Sequence, residues 1–155
     1  MSIPREPEVV AVSGYPVRLD LSYDPQSELW VELVGEHRAR VGLDPLSAET
    51  SGTLAQLALV TVGTQVRRGE PLGSIEAEKF VGPLLSPLTG TVAARNDAVL
   101  SRPSAVEDNP YAAWLVEIES DAAEDELGGL VTGTEAVSHF AARVERYRRE
   151  GVLAE

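Results

Sequence analysis

The sequence predicts a mainly β protein, a compact barrel or sandwich of many short strands with helices at its periphery. Three observations carry this expectation. Apolar and polar residues alternate in short runs along most of the chain. Clusters of Gly, Pro, Asp and Asn separate those runs. Helix signals are confined to a few short stretches and to the last part of the chain.

Residues 1–16 read as a poorly patterned leader, in which Val9 to Val12 can add an edge strand. Val17, Leu19 and Leu21 then alternate with Arg18, Asp20 and Ser22, the period of a half-buried strand. Asp24-Pro25-Gln26-Ser27 is a turn cluster. Leu29 to Val34 forms a second strand, Gly35-Glu36 turns it back, and Arg38 to Leu43 forms a third with Ala39 and Val41 on one face. Asp44 followed by Pro45 is an N-cap with proline at the first helical position, so a short helix runs to about Ser51 and ends at Gly52. Leu54 to Val62 reads as a buried strand. Gly63, Gly69 and Gly73 punctuate the next stretch, and Gly73 to Ala77 leads as a strand into a turn at Lys79. Gly82-Pro83 and Ser86-Pro87 bracket the way out, and Thr91 to Arg95 is the next strand. Asn96 to Asn109 is turn-rich, with a helical turn at Pro103, and Ala113 to Glu119 is the last strand. Ser120 to Leu127 is acidic and helical, broken by Gly128-Gly129. Thr134 caps a final helix with Val137, Phe140, Ala141, Val144 and Tyr147 on one face. Arg143, Arg146, Arg148 and Arg149 load its C-terminal end, where the helix dipole favours cations.

The 155 residues fit one domain, expected over 17–155. The net charge of −12 leaves no basic surplus to displace counterions, which argues against nucleic acid or an anionic membrane as partner. It suits steered, transient docking on basic protein surfaces. No signal peptide or membrane span is visible, and a cytoplasmic protein is expected. The chain has no cysteine, so disulfides, thiolate metal sites and a cysteine nucleophile are excluded, and any thiol chemistry has to come from a cofactor. The two histidines, His37 and His139, lie far apart and belong to no ligand motif, so no metal site is expected. No Ser-His-Asp set, phosphate loop or paired catalytic carboxylates stands out either. Trp30 and Trp114 are expected to fill the core.

One residue stands apart. Of the 13 basic side chains only Lys79 is a lysine. Arginine stays protonated and does not accept an acyl group, whereas a lysine amine can lose its proton and form an amide. Lys79 follows a strand and precedes two prolines, so it is expected at a stiff hairpin tip, where another enzyme can reach it. Pro87 limits the backbone after the tip, and Gly90 permits either a positive φ or a close crossing of strands.

The ordered set Val62-Gly63, Gly69-Glu70-Pro71-Leu72, Glu76-x-x-Lys79, Ser86-Pro87-Leu88-Thr89-Gly90 and Asn109-Pro110-Tyr111…Trp114 resembles the biotinyl/lipoyl carrier fold. More closely, it is similar to the H proteins of the glycine cleavage system, with which Leu29-Trp30-Val31 and Arg40-Val41-Gly42-Leu43 also agree. The resemblance covers about residues 17–150. It implies a flattened β barrel or barrel-sandwich hybrid with a C-terminal helix, and lipoate in amide linkage to Lys79. It assigns recognition by the lipoate ligase to Glu76, and it makes Pro87 and Gly90 supports of the hairpin. It implies a non-catalytic shuttle that passes a lipoyl-bound aminomethyl group between partners. Those partners are proteins of the glycine decarboxylase, aminomethyltransferase and dihydrolipoyl dehydrogenase types. The tip reads Glu76-Ala77-Glu78-Lys79-Phe80 where the family has Glu-Ser-Val-Lys-Ala, and Glu28-Leu29-Trp30 stands for the usual His-Glu-Trp. These departures leave two alternatives: an H-like lipoate carrier of a heterodisulfide-reductase-like sulfur pathway, and an unmodified interaction module on the same fold. Biotin fits poorly, since biotin carriers flank their lysine with methionine and the single methionine here is Met1.

Overall fold

The computed structural model describes residues 7–121 and 123–153. Along these residues the chain forms β1 (Val9–Val12), β2 (Tyr15–Arg18), β3 (Ser22–Tyr23), β4 (Leu29–Gly35), β5 (Arg38–Leu43) and α1 (Pro45–Ser51). Then come β6 (Leu54–Leu59), β7 (Gln65–Val66), β8 (Pro71–Ala77), β9 (Val81–Leu85) and β10 (Gly90–Arg95). The chain continues through α2 (Asp97–Ser101), α3 (Ala105–Asp108), β11 (Val116–Glu119), α4 (Ala123–Leu127), β12 (Val131–Thr132) and α5 (Gly133–Arg149).

The strands make a seven-stranded sheet in the order β12-β3-β4-β5-β11-β10-β7, a three-stranded sheet β6-β8-β9, and the hairpin β1-β2. The fold is mainly β with a C-terminal helix, and the sheets do not close into a continuous barrel. Alternation explains the main core. Leu29 and Val31 from β4, Ala39 and Val41 from β5, Leu72 and Ile75 from β8, Val92 from β10 and Ile118 from β11 are each at most 2% exposed and pack between the two larger sheets. A second cluster joins Val12, Val17, Tyr23, Trp30 and Leu46 to Ala136, Phe140 and Val144 of α5. The Tyr23 and Phe140 rings meet edge to face at 5.1 Å. The β1-β2 hairpin therefore packs on α5, and the boundary expected at residue 17 falls inside β2.

Several expectations need correction. The strand over residues 17–22 is broken after Arg18, because the Tyr23 hydroxyl binds both the amide and the carbonyl of Arg18, at 3.0 and 2.9 Å, and folds the intervening residues into a turn. The run Leu54 to Val62 is a strand only to Leu59 and is half exposed. Gly82-Pro83 lies inside β9, an edge strand, where proline's missing N–H costs no ladder bond. The last long strand begins at Val116 rather than Ala113. Helix α5 begins at Gly133 with Thr132 as its cap residue, earlier than a cap at Thr134 implies. Ala141 is exposed, while Arg143 is buried. Trp30 is buried, whereas Trp114 is half-buried with the Arg40 guanidinium 5.0 Å from its ring.

Gly90 sits where β10 pairs with both β7 and β11, and its φ is not positive. The close crossing is what requires glycine, since a Cβ there would press on the Glu119 carbonyl and lie 2.7 Å from the Ile118 side chain. Gly90→Ala is expected to cost about 1–3 kcal/mol through overpacking. Thermal unfolding checks this, and an unchanged midpoint would remove the crossing as a reason for glycine.

Candidate functional site

The β8-β9 hairpin places Lys79. Glu76 pairs with Val81 as its last rung, and the Ala77 amide donates to the Phe80 carbonyl at 2.8 Å, leaving Glu78 and Lys79 at the tip. The tip is also held from the side. The Glu78 amide donates to the Thr53 carbonyl and the Lys79 amide to the Ser51 carbonyl, both at 2.9 Å. Those two carbonyls flank Gly52, which ends α1 with φ 74°. A Cβ at Gly52 would come within 2.7 Å of the Glu78 carboxylate, so glycine satisfies both the turn and the close approach. Helix α1 itself is fixed by Asp44, whose side chain accepts from the Ser47 amide at 2.8 Å. Capping residue, helix stop and hairpin tip are thus one mechanical unit.

Lys79, Glu76 and Glu78 are all exposed. None of the ion pairs among the described residues involves them. Phe80 and Val81 beside them are 45% and 71% exposed, so apolar side chains stand on one side of the tip. Pro87 is buried one strand further on, in a turn whose Ser86 hydroxyl donates to the Leu88 carbonyl at 2.5 Å. Pro87 and Gly90 lie away from the tip, towards the base of the hairpin and the neighbouring sheet.

A groove of about 270 Å³ opens at Lys79. Leu43, Ile75, Leu84, Phe80, Pro83 and Val152 supply its apolar surface. Glu28 and Tyr147, with hydroxyls from Ser27, Ser47, Thr50 and Ser51, supply the polar one. On the other side of the tip a second cavity of about 310 Å³ is lined by Glu49, Glu78 and Glu107.

Sequence reasoning did not find the polar wall of the groove. Glu28 adopts φ 61°, uncommon for a residue with a side chain, just before β4. Its Oε1 accepts from the Tyr147 hydroxyl at 2.8 Å, and its Oε2 accepts from the Ser47 hydroxyl at 2.9 Å and lies 3.3 Å from Arg143. The same guanidinium donates to Asp44 at 2.7 Å. Burial pushes the Asp44 carboxyl up, against the lowering pull of Arg143. Desolvation pulls the Arg143 guanidinium down, and Asp44 and Glu28 outweigh it, so its net direction is up and it stays charged. No local signal joins Glu28 to Arg143 and Tyr147, since more than a hundred residues of chain separate them. His139 is half-buried, and desolvation by burial pulls its pKa down. Among the described residues, no group of His, Cys, Asp and Glu is placed to hold a metal ion, and no helix is long and apolar enough to cross a membrane.

A sequence model of the glycine cleavage H-protein family matches residues 21–142. The chain belongs to that family. It is 37% identical over 109 residues to the glycine cleavage system H protein of Bacillus subtilis, covering 69% of this chain and 84% of that one. It is 28% identical over 134 residues to glycine cleavage system H protein 2 of Aquifex aeolicus, covering 86% of this chain and 83% of that one. The crystal structure of a glycine cleavage system H protein from Mycobacterium marinum superposes with a TM-score of 0.69 at 28% identity, covering 79% of this chain and 97% of that one. The H-protein match takes in α1, the Lys79 hairpin and the start of α5, and it stops one residue before Arg143. Tyr147 and Val152, which line the groove, lie beyond the matched residues, and Arg143 lies just beyond them, buried outside the lining.

Proposed function

We propose that this chain is a lipoate-carrying shuttle that passes a lipoyl-bound aminomethyl group between partner enzymes through Lys79. The observation that carries the reading is an exposed amine, in no ion pair among the described residues, on a tip braced by two backbone hydrogen bonds with a groove of mixed apolar and polar lining opening beside it. The residues suit lipoate. Leu43, Ile75 and Leu84 would take an aliphatic chain and a sulfur ring, and the groove lies near the lower end of small-molecule pockets, about 300–1,000 Å³. When bound, lipoate would supply the redox-active sulfur that a cysteine-free chain lacks.

The chain's own part is mechanical and electrostatic. The Ser51 and Thr53 carbonyls hold the tip still for the ligase, with the exposed Glu76 at the end of the central strand β8 as its recognition residue. The groove offers the arm a partly apolar surface between partners, with Glu28 as the carboxylate facing a cationic end. No residue here performs bond chemistry. The partners are proteins of the glycine decarboxylase, aminomethyltransferase and dihydrolipoyl dehydrogenase types, reached by weak docking that the charge of −12 steers. The compartment is the cytoplasm.

Lipoylated protein incubated with a glycine decarboxylase and isotope-labelled glycine is expected to gain the label, and the Lys79→Arg variant is expected to gain none. A fully lipoylated protein that takes no label from any such enzyme would remove the glycine-cleavage reading and leave a lipoate carrier of another pathway.

A further inference from the structure

Strand β6 is one edge of the three-stranded sheet. From Thr50 to Val66 the chain has no charged residue, although 25% of all its residues are charged. Sheet edges are usually guarded against further pairing by charge, proline or a covering segment. The opposite edge, β9, carries Pro83. β6 has neither charge nor proline, and its Ala55, Gln56 and Ala58 are exposed. Leu57 and Leu59 pack against the core but are only partly buried, so the core is open along this edge.

The backbone shows which groups are left over. The Thr53 carbonyl accepts from the Glu78 amide, and the Val60 amide donates to the Leu72 carbonyl, so both point inward. A Cβ on Gly73 would press on the Ala58 carbonyl, which therefore also points towards β8. Past the register shift between Leu54 and Gln56, alternation turns the Ala55 carbonyl, both groups of Leu57 and both groups of Leu59 outward. Two side chains cap the ends of this row. Glu107 Oε1 accepts from the Leu54 amide at 2.5 Å, and the Arg95 guanidinium donates to the Leu59 carbonyl at 3.3 Å. Between the caps, no loop or side chain among the described residues bonds to the row.

We propose that β6 is a self-association surface, on which a second copy of this chain pairs antiparallel about a two-fold axis at Leu57. That register sets Leu57 against Leu57 and Ala55 against Leu59, so the hydrogen bonds exchanged are those of the groups left open. Gln56 faces Ala58, and no like charges meet along the strand. The caps favour a second copy over a different partner. One end of the row is acidic and the other is basic. A two-fold axis reverses the strand, so Glu107 of each copy comes beside Arg95 of the other at both ends. The net charge of −12 on each copy opposes contact through charged surface, and this strip carries none. The joined sheet runs β9-β8-β6-β6-β8-β9. Each Lys79 tip lies at the Leu54 end of its own β6, so the two tips sit at opposite ends of the pair.

Sedimentation over a range of protein concentrations is expected to show a monomer–dimer equilibrium at about 0.15 M salt, where the Debye length is about 8 Å. Hydrogen exchange at the Leu57 and Leu59 amides is expected to slow as the dimer fills, since those amides gain partners. Arg95→Glu brings two acids together at each end, and Glu107→Arg brings two bases together. Each alone is expected to weaken association by about tenfold or more. Mixed in equal amounts, the two variants are expected to form a heterodimer of wild-type strength, because every end again holds an acid and a base. A misfolded variant would not be rescued by mixing, and thermal midpoints check that both fold. A wild type that stays monomeric up to millimolar concentration overturns the proposal. So does a dimer whose Leu57 and Leu59 amides exchange as fast as in the monomer, and so does a mixture of folded variants that fails to associate. The contact needs no lipoate, so each of these results leaves the carrier reading untouched.

Discussion

Lys79→Arg is expected to abolish lipoylation completely and to leave the fold intact. Co-expression with a lipoate ligase and free lipoate should add one lipoyl group to the wild type and none to the variant, as read by intact mass. The effect is all or none because the chain has one lysine, and arginine offers no acylable amine. Stability is expected to stay within about 0.5 kcal/mol of the wild type, because the side chain is exposed and enters no ion pair among the described residues. The backbone bonds that brace the tip come from the Glu78 and Lys79 amides, which the substitution keeps. A wild type that stays unmodified with several ligases would sink the carrier reading in favour of an unmodified interaction module. A lipoyl mass on the variant would place the modification elsewhere.

Arg143→Met is expected to destabilise the protein by about 3–5 kcal/mol, lowering the thermal midpoint by roughly 10 °C. The cause is the carboxylate left behind rather than the cation removed. Asp44 is 1% exposed, and without Arg143 its charge has no partner in the core. The deficit should depend on pH with a definite sign. Burial already holds the Asp44 carboxyl above its ordinary value of 3.8, and loss of Arg143 removes the pull that opposes this. The folded variant then keeps its proton to higher pH than the unfolded chain does. Asp44's contribution is then fully present below its ordinary value and is lost as pH rises through the raised one, so the gap to wild type is widest at neutral pH. Adding Asp44→Asn should recover most of the loss, because the amide can still cap α1 and no buried charge remains. The Nε of Arg143 is itself buried without a hydrogen-bond partner, which further favours the double variant. Denaturant unfolding of the two single variants and the double variant checks this. A double variant as unstable as Arg143→Met would show that packing, not charge, is what Arg143 contributes.

Local sequence was enough wherever the signal itself was local. Asp44, Pro45 and Gly52 fixed α1 at the residues where it is found, because cap, first-turn proline and positive-φ stop all act within one short helix. Gly35-Glu36 between two alternating runs placed the β4-β5 hairpin for the same reason. The two-residue strands β7 and β12 were missed, since each exists only through a partner strand that sequence proximity does not supply. Leu54 to Val62 looked buried because apolar content was read as depth, whereas β6 is half exposed beside β8.

The candidate site divides along the same line. The amino-acid sequence alone determined that one amine exists, that it follows a strand, and that prolines stiffen the way out, since residue identity and short spacing carry all three. Only the tertiary structure decided what surrounds it. It brought the Ser51 and Thr53 carbonyls to the tip, opened the groove beside Lys79, and folded Arg143 and Tyr147 onto Glu28. Burial and charge pairing depend on which distant segments meet, and a helical arginine reads as a surface cation until its buried partner is known.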